Sequence, residues 1–139
     1  MPEASVKGRA AARPTAPHLQ IYRWPITMGT SILHRITGVG LAIGTLLLAW
    51  WLYSVAEGPD SYEAFTTVAG HWLGQLVLFG FTLALVYHAC NGVRHLLWDA
   101  GIGFKLQAAN RSGIIVYVIA VVLTAFVWLA AYQSMGSWQ

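Results

Sequence analysis

The side chains best suited to chemistry lie in the stretch 88–99, which follows a long apolar run without an obvious break. On a helix of about 3.6 residues per turn, one stripe of this stretch holds His88, Gly92, His95 and Asp99. His88 offers a nitrogen ligand and Gly92, one turn later, has no side chain, so a flat molecule can lie against the helix while the nitrogen binds it. Ionisable groups in an apolar segment are costly and therefore indicate a functional site.

Membrane-spanning helices are the elements that must position this stripe. Hydrophobic residues make up 57% of the 139 residues and charged residues only 9%, unlike the composition of a soluble globular protein. Three windows contain no Asp, Glu, Lys or Arg, at 36–56, 64–93 and 112–139. Each window exceeds the ~20 residues that a membrane helix needs. The sequence therefore predicts an all-α membrane protein with three transmembrane helices and little chain left for an aqueous core.

Turn and anchor signals set the boundaries of these helices. We predict an N-terminal tail and interfacial segment over 1–26 and a transmembrane anchor over 27–139. The helices are predicted at about 27–56, 63–99 and 111–134. A Glu-Gly-Pro-Asp turn at 57–60 separates the first two. Gly40 and Gly44, one turn apart, permit a second helix to approach closely.

The basic residues are distributed by membrane side and do not form a patch. With three spans, all eight lie on the side of the N-terminus, namely Lys7, Arg9, Arg13, Arg23, Arg35, Arg94, Lys105 and Arg111. The positive-inside rule therefore predicts a cytoplasmic N-terminus. The first ~25 residues lack the apolar core of a signal peptide. They are basic and rich in alanine like a mitochondrial presequence, but we expect the mature sequence to begin by Arg13, which leaves little to cleave. We therefore predict a bacterial inner membrane, with the mitochondrial inner membrane as the alternative. The basic residues are not interleaved with stacking aromatic residues, which argues against nucleic acid as a partner.

The depth of His88 indicates which flat molecule would suit the stripe. At roughly 1.5 Å per residue, His88 lies about 16 Å deeper than the polar end of its helix, near the middle of the bilayer. A neutral imidazole there can bind the iron of a b-type haem. Four residues on the cytoplasmic side could neutralise the haem propionates: His34, Arg35, Arg94 and His95. We expect no second histidine at the depth of His88, so a second axial ligand would come from another subunit. The alternative is a His88 that only packs against a neighbouring helix.

A second polar pair lies near the start of the first helix, at the same membrane face. Ser31 and Arg35 are one turn apart, and their hydroxyl and guanidinium groups could donate hydrogen bonds to a quinone carbonyl. The alternative for this pair is an interfacial cap and a snorkelling arginine. For Arg94 and His95, the alternative is a hydrated helix end at which His95 pairs with Asp99.

Three motifs in this order resemble the large cytochrome b membrane-anchor subunit (the C subunit) of succinate dehydrogenase, also called complex II. The first motif lies at 13–19 and contains Arg-Pro and Pro-His-Leu. The second motif, at 31–38, reads SILHRITG. The third joins His88 to GVRHLLWD at 92–99. The similarity extends from the first motif into the third span, and the joint order of the motifs is specific.

The resemblance implies roles for individual residues. His88 would be an axial ligand of haem b, which is shared with a second, smaller anchor subunit that supplies the other ligand. Ser31 and Arg35 would bind the quinone. Three further residues would lie near the haem propionates, namely His34, Arg94 and His95.

The resemblance also implies partners and an activity. The chain would be part of a heteromeric helix bundle in contact with lipid. In the family, a flavoprotein subunit oxidises succinate, and an iron–sulfur subunit carries the electrons to ubiquinone at the membrane. This chain would dock both soluble subunits and help to form the quinone site. Two alternatives stay open, a fumarate reductase anchor that works in the reverse direction and a structural anchor without haem.

Overall fold

The computed structural model describes residues 23–136, and this part of the chain folds into helices without any strand. The helices are α1 (Ile26–Glu57), α2 (Pro59–Gly70), α3 (Trp72–Asp99) and α4 (Leu106–Gly136). α1, α3 and α4 are long and apolar enough to cross a membrane, whereas α2 has only 12 residues. The predicted all-α membrane protein with three spans is therefore confirmed. Residues 1–22 of the predicted N-terminal segment (1–26), including the first of the three motifs, lie outside the described residues.

The three long helices pack side by side, with α3 between α1 and α4 and antiparallel to both. Near the start of α1, the hydroxyl of Tyr87 on α3 donates a hydrogen bond to the carbonyl oxygen of Thr30 at 2.8 Å. The ring of Tyr87 stacks on that of Tyr117 from α4, with ring centroids 5.5 Å apart. The first part of α1, the last part of α3 and the first part of α4 therefore meet at one end of the bundle.

The interior of the bundle is small and partly polar, whereas its outside is apolar. A cluster of buried hydrophobic residues consists of Tyr87, Val116 and Ala120. The buried polar side chains are Thr30, Ser54, Asn91, Arg94 and Thr124. Large apolar side chains along all three spans point outward instead. This arrangement suits a bilayer, because outward apolar groups meet lipid or other membrane subunits while polar groups bond inside.

The predicted turn at 57–60 is where α1 ends. Gly58 has φ +115°, a conformation that residues with a Cβ rarely adopt, so glycine permits the reversal. Pro59 then opens α2 at a position where a missing backbone N–H costs nothing. α1 itself begins after Pro25, whose carbonyl oxygen accepts from the N–H groups of Met28 and Gly29 at 3.1 and 3.2 Å.

The structure interrupts the helix that was predicted over 63–99, because α2 ends and α3 begins at His71. His71 is extended (φ −62°, ψ 149°), and its Nδ1 accepts from the backbone N–H two residues later at 3.4 Å. Gly74 allows the last carbonyl groups of α2 to pack against it, since any Cβ there would clash with them. The side chain of Gln75 donates to the carbonyl oxygen of Gly70 at 3.1 Å. No proline lies at this break, and the window without charged residues continues through it. The sequence pattern therefore did not predict that the helix is interrupted at His71.

Gly44 on α1 sets how closely α1 and α3 approach, and this leads to a first prediction. A Cβ at Gly44 would lie inside the contact with the Phe81 ring, whereas a Cβ at Gly40 would meet no atom within 4 Å. We expect Gly44→Ala to destabilise the purified protein by about 1–3 kcal/mol, because overpacking forces the helices apart. Thermal unfolding measures the effect, and Gly40→Ala is the matched control. Equal melting temperatures for the two variants would contradict the assignment.

Candidate functional site

Three histidines meet where the first part of α1 faces the last part of α3. The ring centroids of His34 and His88 are 3.9 Å apart with planes at 15°, and those of His34 and His95 are 5.2 Å apart. The expectation that no second histidine lies at the depth of His88 was therefore wrong. Because α1 and α3 are antiparallel, His34 fits between His88 and His95. The lone pair of an imidazole nitrogen lies in the plane of its ring. In two stacked rings these planes are nearly parallel and do not converge on one atom, so His34 and His88 are not placed as two ligands of one metal.

The hydrogen bonds of His88 determine which of its two ring nitrogens has a lone pair available to bind a metal. Its Nδ1 lies 3.2 Å from the carbonyl oxygen of His34 and 3.2 Å from Oγ1 of Thr37. A carbonyl oxygen only accepts, so Nδ1 must carry the proton and donate. In a neutral imidazole Nε2 then holds the free lone pair, and it has no hydrogen-bond partner among the described residues. A donor at Nδ1 and a lone pair at Nε2 is the usual state of a histidine that binds a metal.

The stripe beside His88 has room for a flat ligand. A Cβ at Gly92 would meet no atom within 4 Å, and His88, Gly92 and His95 are all half-buried. On α1, by contrast, a Cβ at Gly38 would come within 3.1 Å of Cε1 of His88. Within residues 23–136, no three His, Cys, Asp or Glu side chains are grouped to hold a bare metal ion. A haem fits these residues, because its porphyrin supplies four nitrogen ligands and needs only one histidine from this chain.

Arg94 points into the bundle, and only 4% of it is exposed. Its Nε donates to Oγ of Ser112 at 2.8 Å, and its Nη2 donates to the carbonyl oxygen of Ala109 at 2.9 Å. Its Nη1 donates to Oγ1 of Thr30 at 3.1 Å and to Oδ1 of Asn91 at 3.2 Å. Four of its five N–H donors are thus used within the chain.

These bonds make Arg94 a link between α1, α3 and α4. Its guanidinium carbon also lies 4.0 Å from the ring centroid of Trp98, within cation–π distance. All four hydrogen-bond acceptors are uncharged, so the buried cation is solvated by oxygen atoms of the protein. The predicted role of Arg94 beside a propionate would have to use its one remaining donor.

Ser31 and Arg35 lie beside the histidine cluster, on the outward flank of α1. Ser31 is half-buried and Arg35 is exposed, and neither has a hydrogen bond to another described residue. His34 lies between them in sequence, and its Nδ1 is buried without a hydrogen-bond partner in the described part of the chain. A half-buried hydroxyl and an exposed guanidinium therefore lie one turn apart on α1, next to His34 in the sequence.

The alternative of a His95–Asp99 pair finds no support in the described residues. The ring of His95 instead packs edge-to-face on Trp98, with ring centroids 5.1 Å apart. His95 therefore joins the histidine cluster on one side and the aromatic partner of Arg94 on the other.

Comparison with known protein families matches residues 9–127 to the succinate dehydrogenase/fumarate reductase transmembrane subunit family. The chain belongs to this family. It is 41% identical over 117 residues to the succinate dehydrogenase cytochrome b556 subunit of Rickettsia felis, covering 84% of this chain and 91% of the relative. It is also 41% identical over 119 residues to the same subunit of Paracoccus denitrificans, covering 84% and 92%. The mitochondrial cytochrome b560 subunit of Sus scrofa is 36% identical over 120 residues, covering 83% and 69%.

In this member of the transmembrane subunit family, several residues of the site were not predicted from the sequence. Thr37, Thr30 and Ser112 contact His88 or Arg94, yet each is an ordinary small polar residue in an apolar helix. Only the antiparallel pairing of the helices brings them to their partners. The one available signal was that Thr37 lies one turn beyond His34 on the same face of α1.

Proposed function

We propose that this chain is the haem b-containing membrane-anchor subunit of a succinate:quinone oxidoreductase. The single observation that carries the proposal is the state of His88: its Nδ1 donates to a backbone carbonyl, its Nε2 lone pair is uncommitted, and a side-chain-free Gly92 follows one turn later. The names of the relatives support it, because they are cytochrome b subunits of succinate dehydrogenase. A haem at this place supplies a one-electron carrier inside the membrane.

The second axial ligand comes, in this proposal, from a smaller anchor subunit that covers the half-buried stripe. His34 and His95 flank His88 toward the end of the bundle that carries Arg35 and Arg94, and there they can bind the haem propionates. Arg94 contributes its remaining N–H donor and holds in place the helix that carries the ligand. The flavoprotein and iron–sulfur subunits dock at this same end, where we place the cytoplasm.

The quinone site lies, in this proposal, on the outward flank of α1. Ser31 and Arg35 donate hydrogen bonds to a carbonyl oxygen of ubiquinone, and the positive charge of Arg35 favours the charge that develops on this oxygen during reduction. Arg35 is exposed and Ser31 is half-buried, so in this proposal the remaining walls of the site belong to partner subunits. In this proposal the complex sits in a bacterial inner membrane, and the distribution of the basic residues predicts that the N-terminus of this chain lies in the cytoplasm.

Purification of the complex from native membranes tests the proposal. We expect a flavoprotein, an iron–sulfur protein and a second small membrane protein to co-purify with this chain. A dithionite-reduced minus oxidised spectrum should show the α-band of a six-coordinate b-type haem. A pure complex without this band would leave only a structural anchor.

Replacement of Arg35 tests the quinone site. We expect Arg35→Ala to lower succinate:quinone reductase activity by about ten- to a hundredfold, because a hydrogen bond from a charged group contributes about 1.5–3 kcal/mol. The haem content, measured from the same difference spectrum, should change much less. Arg111→Ala is the matched control, since Arg111 is an exposed cation at the same end of the bundle. Wild-type quinone kinetics in Arg35→Ala would remove Arg35 from the site.

A further inference from the structure

We propose that Thr37 is a positioning residue for His88: its hydroxyl, together with the carbonyl of His34, fixes the orientation of the His88 ring. This inference rests on the proposed function, in which Nε2 of His88 binds the haem iron. Thr37 lies on α1, whereas His88 lies on α3. The inference is therefore that α1 controls the orientation of the His88 ring.

The hydroxyl of Thr37 is held in place before it meets His88. It donates to the helix's own carbonyl groups, at 2.8 Å to Leu33 and 3.0 Å to His34. Its single proton is therefore engaged, and its lone pair is left to accept from Nδ1 of His88 at 3.2 Å. Threonine is stiff at χ1, and this back-bonding to the preceding turn holds its side chain in one rotamer.

Both acceptors of His88 demand the same tautomer. The carbonyl oxygen of His34 and the oxygen of Thr37 each lie 3.2 Å from Nδ1, so the proton is placed there and Nε2 stays free. The rest of the ring is confined as well, because the His34 ring stacks on one face at 3.9 Å and the backbone at Gly38 lies against Cε1. α1 thus determines both the plane of the His88 ring and the direction of its Nε2 lone pair.

A hydrogen bond at Nδ1 makes the opposite nitrogen a stronger electron donor to a metal. Stronger donation favours ferric over ferrous iron, so the bond to Thr37 should lower the reduction potential of the haem. The plane of an axial imidazole also affects the electron paramagnetic resonance spectrum of a ferric haem. A threonine that merely filled space between α1 and α3 would change neither property when a side chain of equal shape replaced it.

The test compares Thr37→Val, which keeps the shape and removes the hydroxyl, with Thr37→Ser, which keeps the hydroxyl and removes the methyl group. The haem midpoint potential and the ferric resonance spectrum are measured in the purified complex. We expect Thr37→Val to shift the potential upward and to move the lowest-field resonance, whereas Thr37→Ser keeps wild-type values. Thr45→Val is the control, because Thr45 is exposed on the same helix and its hydroxyl bonds only the carbonyl of Ala42.

The remaining outcomes decide between the possible roles. Wild-type potential and spectrum in Thr37→Val would overturn the inference, as would equal changes in the valine and serine variants, since these would point to packing. Loss of haem in Thr37→Val alone, with haem retained in Thr37→Ser, would support it. The proposed function fails separately, if the wild-type complex holds no haem or keeps it after replacement of His88.

Discussion

Replacement of His88 by alanine should remove the haem from the purified complex. The variant loses the imidazole whose Nδ1 donates to a backbone carbonyl and whose Nε2 has no hydrogen-bond partner among the described residues. Even the loss of an outer partner of a metal ligand costs about 10–100-fold in affinity, so we expect loss of the ligand itself to lower haem content at least tenfold. The pyridine haemochrome content per flavin in the purified complex measures this loss.

His71→Ala provides the matched control for His88→Ala. His71 is exposed, lies between α2 and α3 and contacts none of the three clustered histidines. Its replacement should leave the haem content unchanged. Full haem content in His88→Ala, with the wild-type spectrum, would contradict the assignment of His88. If His88→Ala fails to assemble, His88→Met retains a possible iron ligand, and it should restore assembly with an altered spectrum.

Replacement of Arg94 by alanine should destabilise the bundle more than Gly44→Ala does. The variant removes four hydrogen bonds, three of which join α3 to α1 and α4, and it leaves Oδ1 of Asn91 without its donor. Hydrogen bonds from a charged group contribute about 1.5–3 kcal/mol each in water-soluble proteins, and polar contacts inside membranes contribute less. We therefore expect a loss of about 2–4 kcal/mol, measured by thermal unfolding of the complex.

The lysine variant separates two roles for Arg94. Lysine keeps the charge but cannot direct donors to Ser112, Thr30 and Ala109 together, because its ammonium is a single point. If Arg94 mainly links the helices, Arg94→Lys should be nearly as unstable as Arg94→Ala. If Arg94 mainly neutralises a haem propionate, lysine should restore the stability and only the haem potential should shift. Lys105→Ala, at an exposed cation between α3 and α4, serves as the control.

The residue pattern alone was enough to predict the class of the protein and the helices that carry its chemistry. Charge-free windows of sufficient length predicted three spans, and α1, α3 and α4 confirmed them, because a bilayer imposes its length on any helix that crosses it. Motifs at 31–38 and 92–99 indicated the family, and the comparisons confirmed it. Helical spacing also predicted that His88, Gly92 and His95 share one face, and they are half-buried together.

The residues that meet across helices could be identified only from the packing of the helices in three dimensions. Spacing places a residue on a face of its own helix, but it leaves open the rotation and depth of that helix against its neighbours. Contacts far apart in sequence, such as Tyr87 with Thr30 and Phe81 with Gly44, set both quantities. They place His34 beside His88 and turn Arg94 into the interior, since a buried guanidinium needs several oxygen acceptors and the junction of α1, α3 and α4 supplies them.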